Sequence, residues 1–105
     1  MKYKNTTKKG SVRYVIFKQG PKWFGVALEF NIVETGDDPQ EVTFLLFEAI
    51  QGYVESLKKV KGLLDFSALN QKPDKEYENI WELARSGKPV PSPIKVDSVG
   101  QKILA

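Results

Sequence analysis

The chain has no cysteine and no histidine. The first absence excludes disulfides, thiolate nucleophiles and cysteine-ligated zinc. The second excludes a Ser-His-Asp triad and imidazole ligation of a metal. Any chemistry would fall to carboxylates, Lys, Tyr or Ser. The expectation is therefore a protein that is not an enzyme, with no catalytic residue, no metal, no cofactor and no small-molecule substrate. Long apolar runs are also missing: none approaches the ~18 residues a spanning helix needs. The opening MKYKNTTKKG lacks the apolar stretch of a secretory signal. A cytoplasmic protein without a membrane partner is expected.

Charge is missing by sign as well. Residues 1–22 contain Lys2, Lys4, Lys8, Lys9, Arg13, Lys18 and Lys22 but no acid. Residues 29–48 contain Glu29, Glu34, Asp37, Asp38, Glu41 and Glu48 but no base. A basic arm followed by an acidic belt suggests a partner surface. A solvated tail followed by an ordinary helix start accounts for the same charges.

What is present suits one small domain. The chain has 105 residues, 41% apolar and 28% charged, with a net charge of +3. That length supports a single modest core. Val12–Lys18 is rich in β-branched and aromatic residues and apolar on both faces, so it reads as a central strand. Gly20-Pro21-Lys22 is a turn with a loop of three to five residues. Trp23–Phe30 alternates strictly, with Phe24, Val26, Leu28, Phe30 and then Ile32 on one side. A short strand at 32–35 follows and ends at Gly36.

The next segment is written as a helix, 39–61. Asp38 is the cap, Pro39 takes the first position, and Glu41 completes a capping box. Val42, Leu45, Leu46, Ala49, Ile50, Tyr53, Val54, Leu57 and Val60 hold a 3.6-residue period. Gly62 stops the helix. Phe44, Phe47 and Gly52 break its pattern and mark a possible interface. The expected cover for the two aromatics is the chain's own tail, through Leu63, Leu64, Phe66, Tyr77, Ile80 and Trp81. A second helix spans 74–85. A last strand near 94–99 is expected beside the first and parallel to it.

The fold class is therefore α+β: a three-stranded antiparallel sheet on one long helix, then a second helix and a C-terminal strand. Residues 1–105 form one domain, with a core at 12–62 and an extension at 63–105. The extension carries no recognisable DNA-binding motif, because a helix-turn-helix needs two adjacent helices.

The segment Val15–Glu55 resembles the N-terminal domain of the HicB-like antitoxins. The likeness lies in ALEFNI (27–32), ETGD (34–37), DPQEV (38–42) and EAIQGYVE (48–55). It implies a β-β-β-α-β unit likened to a pared-down RNase H. It also implies a partner, a small RNA-cleaving toxin of the HicA type neutralised by occlusion, and a homodimer or higher oligomer. Phe44 and Phe47 depart from the family, which has polar residues there. DNA binding through the extension is in doubt.

The candidate partner-binding residues are Trp23, Glu29, Glu34 and Asp37. Lys4, Lys8, Lys9 and Arg13 are candidate phosphate contacts for an alternative role as a nucleic-acid-binding regulator. A third reading is a stand-alone structural module. Glu34, Asp37, Asp38 and Glu41 have the chemistry of a hard-metal site, but helix capping already explains most of them. Val12–Lys18 carries no acid, which argues against an RNase H-like nuclease.

Overall fold

The computed structural model describes residues 5–6, 9–59 and 67–104. Strand β1 is Ser11–Gln19, β2 is Lys22–Ala27, β3 is Ile32–Gly36 and β4 is Lys95–Ile103. Helix α1 is Pro39–Lys58 and α2 is Lys75–Arg85. The strands form one antiparallel sheet of order β3-β2-β1-β4. The fold is α+β, with four strands and two α-helices among the described residues.

β1 lies in the middle, as its two apolar faces require. Val12 and Ile16 are buried against α1, with Tyr14 packed at the margin. Val15 and Phe17 are buried on the opposite face with Ile80 and Trp81 of α2. The sheet is thus covered on both sides. α1 uses Val42, Leu46, Ile50 and Val54, a stripe at helical spacing. α2 uses Ile80 and Trp81, with Tyr77 packed beside them.

Several expectations are corrected here. The β1–β2 loop is only Gly20-Pro21, because Gln19 pairs with Lys22. Gly20 takes φ 68°, the positive value that the first position of a two-residue II′ hairpin demands. β2 stops at Ala27, and Leu28–Phe30 forms a 3-10 turn closed by Asn31 at φ 53°. The turn rotates the pattern. Val26 and Leu28 stay on the α2 face, while Phe30 and Ile32 move to the α1 face.

β4 does lie beside β1, but antiparallel to it, and it runs through Ile103. α1 ends at Lys58, whereas Val60 and Gly62 lie outside the described residues. The described residues of the expected cover do not lie on α1. Tyr77, Ile80 and Trp81 pack on the other face of the sheet, and Leu63, Leu64 and Phe66 lie outside the described residues.

Polar joints fasten the path from one face to the other. The Gln71 N–H donates to the Glu29 carbonyl at 2.9 Å. Its side-chain amide donates to the Tyr53 hydroxyl and the Ala68 carbonyl, each at 2.9 Å. The Asn31 side chain donates to Gln71 Oε1 at 3.1 Å. One end of α1, the 3-10 turn and the lead into α2 therefore meet at a single glutamine.

Asn5 is buried nearby. Its N–H donates to Asn70 Oδ1, and Asn70 Nδ2 donates to the Asn5 carbonyl, both at 2.9 Å. Its own side chain donates to the Leu69 carbonyl and accepts from the Ser11 N–H. Gly10, at φ 127°, passes so close to Asn5 that a Cβ there would collide with it.

The cap at Asp38 agrees with the sequence reading, but the box is not closed, since among the described residues Glu41 makes no bond back to the Asp38 N–H. Asp38 accepts from the Gln40 N–H at 3.3 Å, with Pro39 in the first turn. Asp74 accepts from the Glu76 N–H at 2.9 Å. Gly10→Ala should destabilise the fold by about 2–3 kcal/mol in urea melts, through clash and a strained φ. Asp38→Ala should cost about 1 kcal/mol. An unchanged midpoint for Asp38→Ala would mean that α1 is held without its cap.

Candidate partner-binding surface

A 20-residue helix laid on a sheet keeps one face for the core and turns the other to solvent. On α1 the outward residues include Glu41, Phe44, Glu48, Gly52 and Glu55, all exposed. The three glutamates recur every seven residues, which places them in a row along the helix. Phe44 stands beside that row at 63% exposure. The first bases on α1 are Lys58 and then Lys59 just beyond its end. Glu55 is engaged by Lys58 at 3.3 Å. The face is therefore acidic, with one large aromatic side chain in water.

Gly52 lies in this face with nothing within 4 Å of where a Cβ would sit. Among the described residues, neither a turn nor a close approach requires glycine there. An exposed mid-helix glycine costs roughly 1 kcal/mol against alanine. Phe47 differs from Phe44. It is half-buried, meets Tyr14 edge-on at 5.1 Å between centroids, and lies under Lys102 Nζ at 5.1 Å. Phe47 thus finds its cover in the sheet margin and Phe44 does not. Between the later turns of α1 and the end of β4 runs a shallow groove of about 180 Å³ lined by Ile50, Gln51, Val54, Glu55, Lys102, Ile103 and Leu104.

The other predicted residues separate into two places. Trp23, Glu34 and Asp37 share the corner where β2, β3 and the start of α1 meet, with Trp23 opposite Gly36 and Gly25 opposite Glu34. Trp23 is on the α1 face, half-buried against the core, with Lys18 Nζ over its ring at 5.9 Å. Asp37 pairs with Lys22 at 2.8 Å. That hydrogen bond holds the Asp37 carboxyl below, and the Lys22 ammonium above, its ordinary pKa. Among the described residues, Glu34, Asp38 and Glu41 of this corner form no ion pair.

Glu29 lies at the far end of β2, on the other side of the sheet. It accepts from the Arg13 N–H at 2.8 Å and from Arg13 Nε at 2.6 Å. Arg13 also donates to Glu78 of α2 at 2.8 Å and sits over the Trp81 ring at 5.1 Å. Trp81 Nε1 in turn donates to the Gly100 carbonyl of β4 at 3.2 Å. Burial works against the Arg13 charge, but the bonds to Glu78 and Glu29 outweigh it and raise its pKa. Both residues thus fasten α2 to the sheet, and Arg13 is not free for phosphate. Lys9 is exposed, while Lys4 and Lys8 lie outside the described residues.

Sequence reasoning did not single out Glu48 and Glu55 as site residues. The seven-residue spacing with Glu41 was the available signal. Among the described residues no group of acids is arranged to hold a metal ion, and no helix is long and apolar enough to cross a membrane. Compared with protein-family profiles, with curated proteins and with solved structures, the chain matches none.

Gly52→Ala should raise the stability of the isolated chain by about 0.5–1 kcal/mol. A loss instead, accompanied by a smaller sedimenting species, would place Gly52 in a contact between copies. Arg13→Ala should cost about 1–3 kcal/mol, because it removes the guanidinium bonds to the half-buried Glu29 carboxylate and to Glu78, leaving Glu29 only the backbone N–H. Glu78→Gln should cost less, since that carboxylate is more exposed. Equal effects in urea melts would refute this ordering.

Proposed function

We propose that the chain is a HicB-like antitoxin, or a partner-binding protein derived from one. It neutralises a small RNA-cleaving toxin of the HicA type by covering it. The observation that carries this reading is the outward face of α1. Glu41, Glu48 and Glu55 stand in a row beside an uncovered Phe44, with Gly52 leaving a flat place between turns. A protein that handles RNA is basic, so an acidic face is complementary to it. Aromatic residues are frequent anchors at the centre of such contacts. The fold needs neither Phe44 nor Gly52 where they stand, and a partner would explain both.

The alternative role as a nucleic-acid-binding regulator loses one of its candidate contacts. Arg13 is held by two carboxylates. The proposed mode is occlusion without chemistry, so the purified chain should not cleave RNA in the presence of magnesium.

The decisive experiment is co-expression with any small basic reading frame found adjacent to this gene. The wild-type chain should relieve growth arrest by that product. Phe44→Glu and Glu48→Lys should each abolish relief while leaving the melting curve within about 0.5 kcal/mol of wild type, as exposed substitutions do. An adjacent product without toxicity, or full relief by both variants, would overturn the reading.

A further inference from the structure

The sheet has two edges, β3 and β4, and among the described residues only β4 carries protecting features. β4 carries Lys95 and Lys102, and its ladder to β1 is interrupted where Asp97 is squeezed out between Val96 and Ser98. Lysines and bulges are the ordinary devices that stop an edge from recruiting another strand. β3 has none of these. Its five residues contain no Lys and no Pro, and its register with β2 is unbroken from Ile32 to Gly36. Among the described residues no strand pairs with its outer side. Val33 is 42% exposed.

We propose that β3 is a docking strand, on which an extended basic segment of the partner adds as a fifth strand. This mode rests on the partner-binding reading above and names how that partner is gripped. An edge strand offers main-chain donors and acceptors to any extended segment. The side chains then choose which one. Ile32 and Glu34 point to the α1 face, in register with Ala27 and Gly25, while Val33 and Thr35 point to the other, opposite Val26 and Phe24. Asp38 and Glu41 extend the acidity beyond Glu34 on the α1 side. A fitting segment alternates Lys or Arg, set against Glu34, with an apolar side chain set against Val33.

A second copy of this chain is a poor occupant. Two-fold antiparallel pairing of β3 centred on Glu34 sets two carboxylates directly opposite, which is destabilising. Centring it on Val33 sets Ile32 against Glu34. Centring it on Thr35 sets Val33 against Asp37. The partner's basic strand avoids all three.

The test uses a capped heptapeptide of alternating Lys and Val as the probe. Two controls accompany it: the same peptide with alternate backbone nitrogens methylated, and an alternating Glu and Val peptide. Amide hydrogen exchange over Ile32–Gly36 is the readout, with sedimentation to count copies. The Lys-Val probe at millimolar concentration should slow exchange at the outward amides of β3 about tenfold, as for a newly protected ladder. Neither control should do so. Glu34→Lys, folded by circular dichroism, should lose the Lys-Val effect and respond to the Glu-Val peptide.

Equal slowing by the methylated peptide would reduce the effect to charge alone and overturn the proposal. So would no slowing by any probe, or β3 protection through self-association without peptide. Changes confined to Phe44 and Glu48 would remove strand addition while leaving the partner-binding reading in place.

Discussion

β1 has no face to give to water. Val12, Val15 and Ile16 are fully buried and Phe17 nearly so, and they point alternately to both sides of the sheet. A strand of this kind must be central and must be covered twice. The rest of the architecture answers that demand. α1 supplies one layer. The chain then crosses to the other side of the sheet and supplies α2 as the second. β2 and β4 close the two edges of β1. Removing the second layer would expose Val15, Phe17, Val26 and Leu28 together, an apolar area that a small soluble chain does not leave open.

Crossing from one face to the other has an electrostatic cost, because it brings polar backbone under cover. Amide side chains offset it where the chain turns. Gln71 answers backbone and hydroxyl groups from three segments, and Asn70 satisfies both main-chain groups of Asn5. No buried side-chain polar atom among the described residues lacks a partner. The one half-buried guanidinium, Arg13, is used as a rivet between the sheet and α2. The acidic face of α1 is left free of such duties, apart from Glu55 with Lys58. That contrast between engaged and idle charges separates structural groups from candidate contact groups.

Much of this fold was legible where the signals are local. The cap at Asp38, the stripe of α1, the double face of β1 and the span of α2 all follow from spacing within a few residues. Legibility failed where distant segments decide. The alternation from Phe24 to Ile32 runs on through Leu28–Phe30, yet the 3-10 turn and the left-handed Asn31 rotate it, so Phe30 leaves the side it shares with Val26 in the sequence pattern. The direction of β4 depends on the end of the sheet at which the chain re-enters after α2, and no local signal carries that. Glu29 reads as a free surface acid because its partner, Arg13, lies 16 residues away, and the second carboxylate on that guanidinium, Glu78, lies 65 residues from Arg13. At the candidate surface the reverse held. Phe44 and Gly52 stood out because they violate the local rules of an amphipathic helix, and the structure supplies no internal reason for either.

The pairing of β1 with β4 has a further consequence for how the chain is made. Ser11 meets Ile103 and Lys18 meets Lys95, so the first strand synthesised waits for the last. While the ribosome is still reading α2, β1 holds β2 on one side and an unpaired apolar edge on the other. Contacts of such large sequence separation form late and slow the folding step. The nascent chain therefore spends its synthesis with its most hydrophobic strand half-dressed, the state most prone to aggregation and to capture by chaperones.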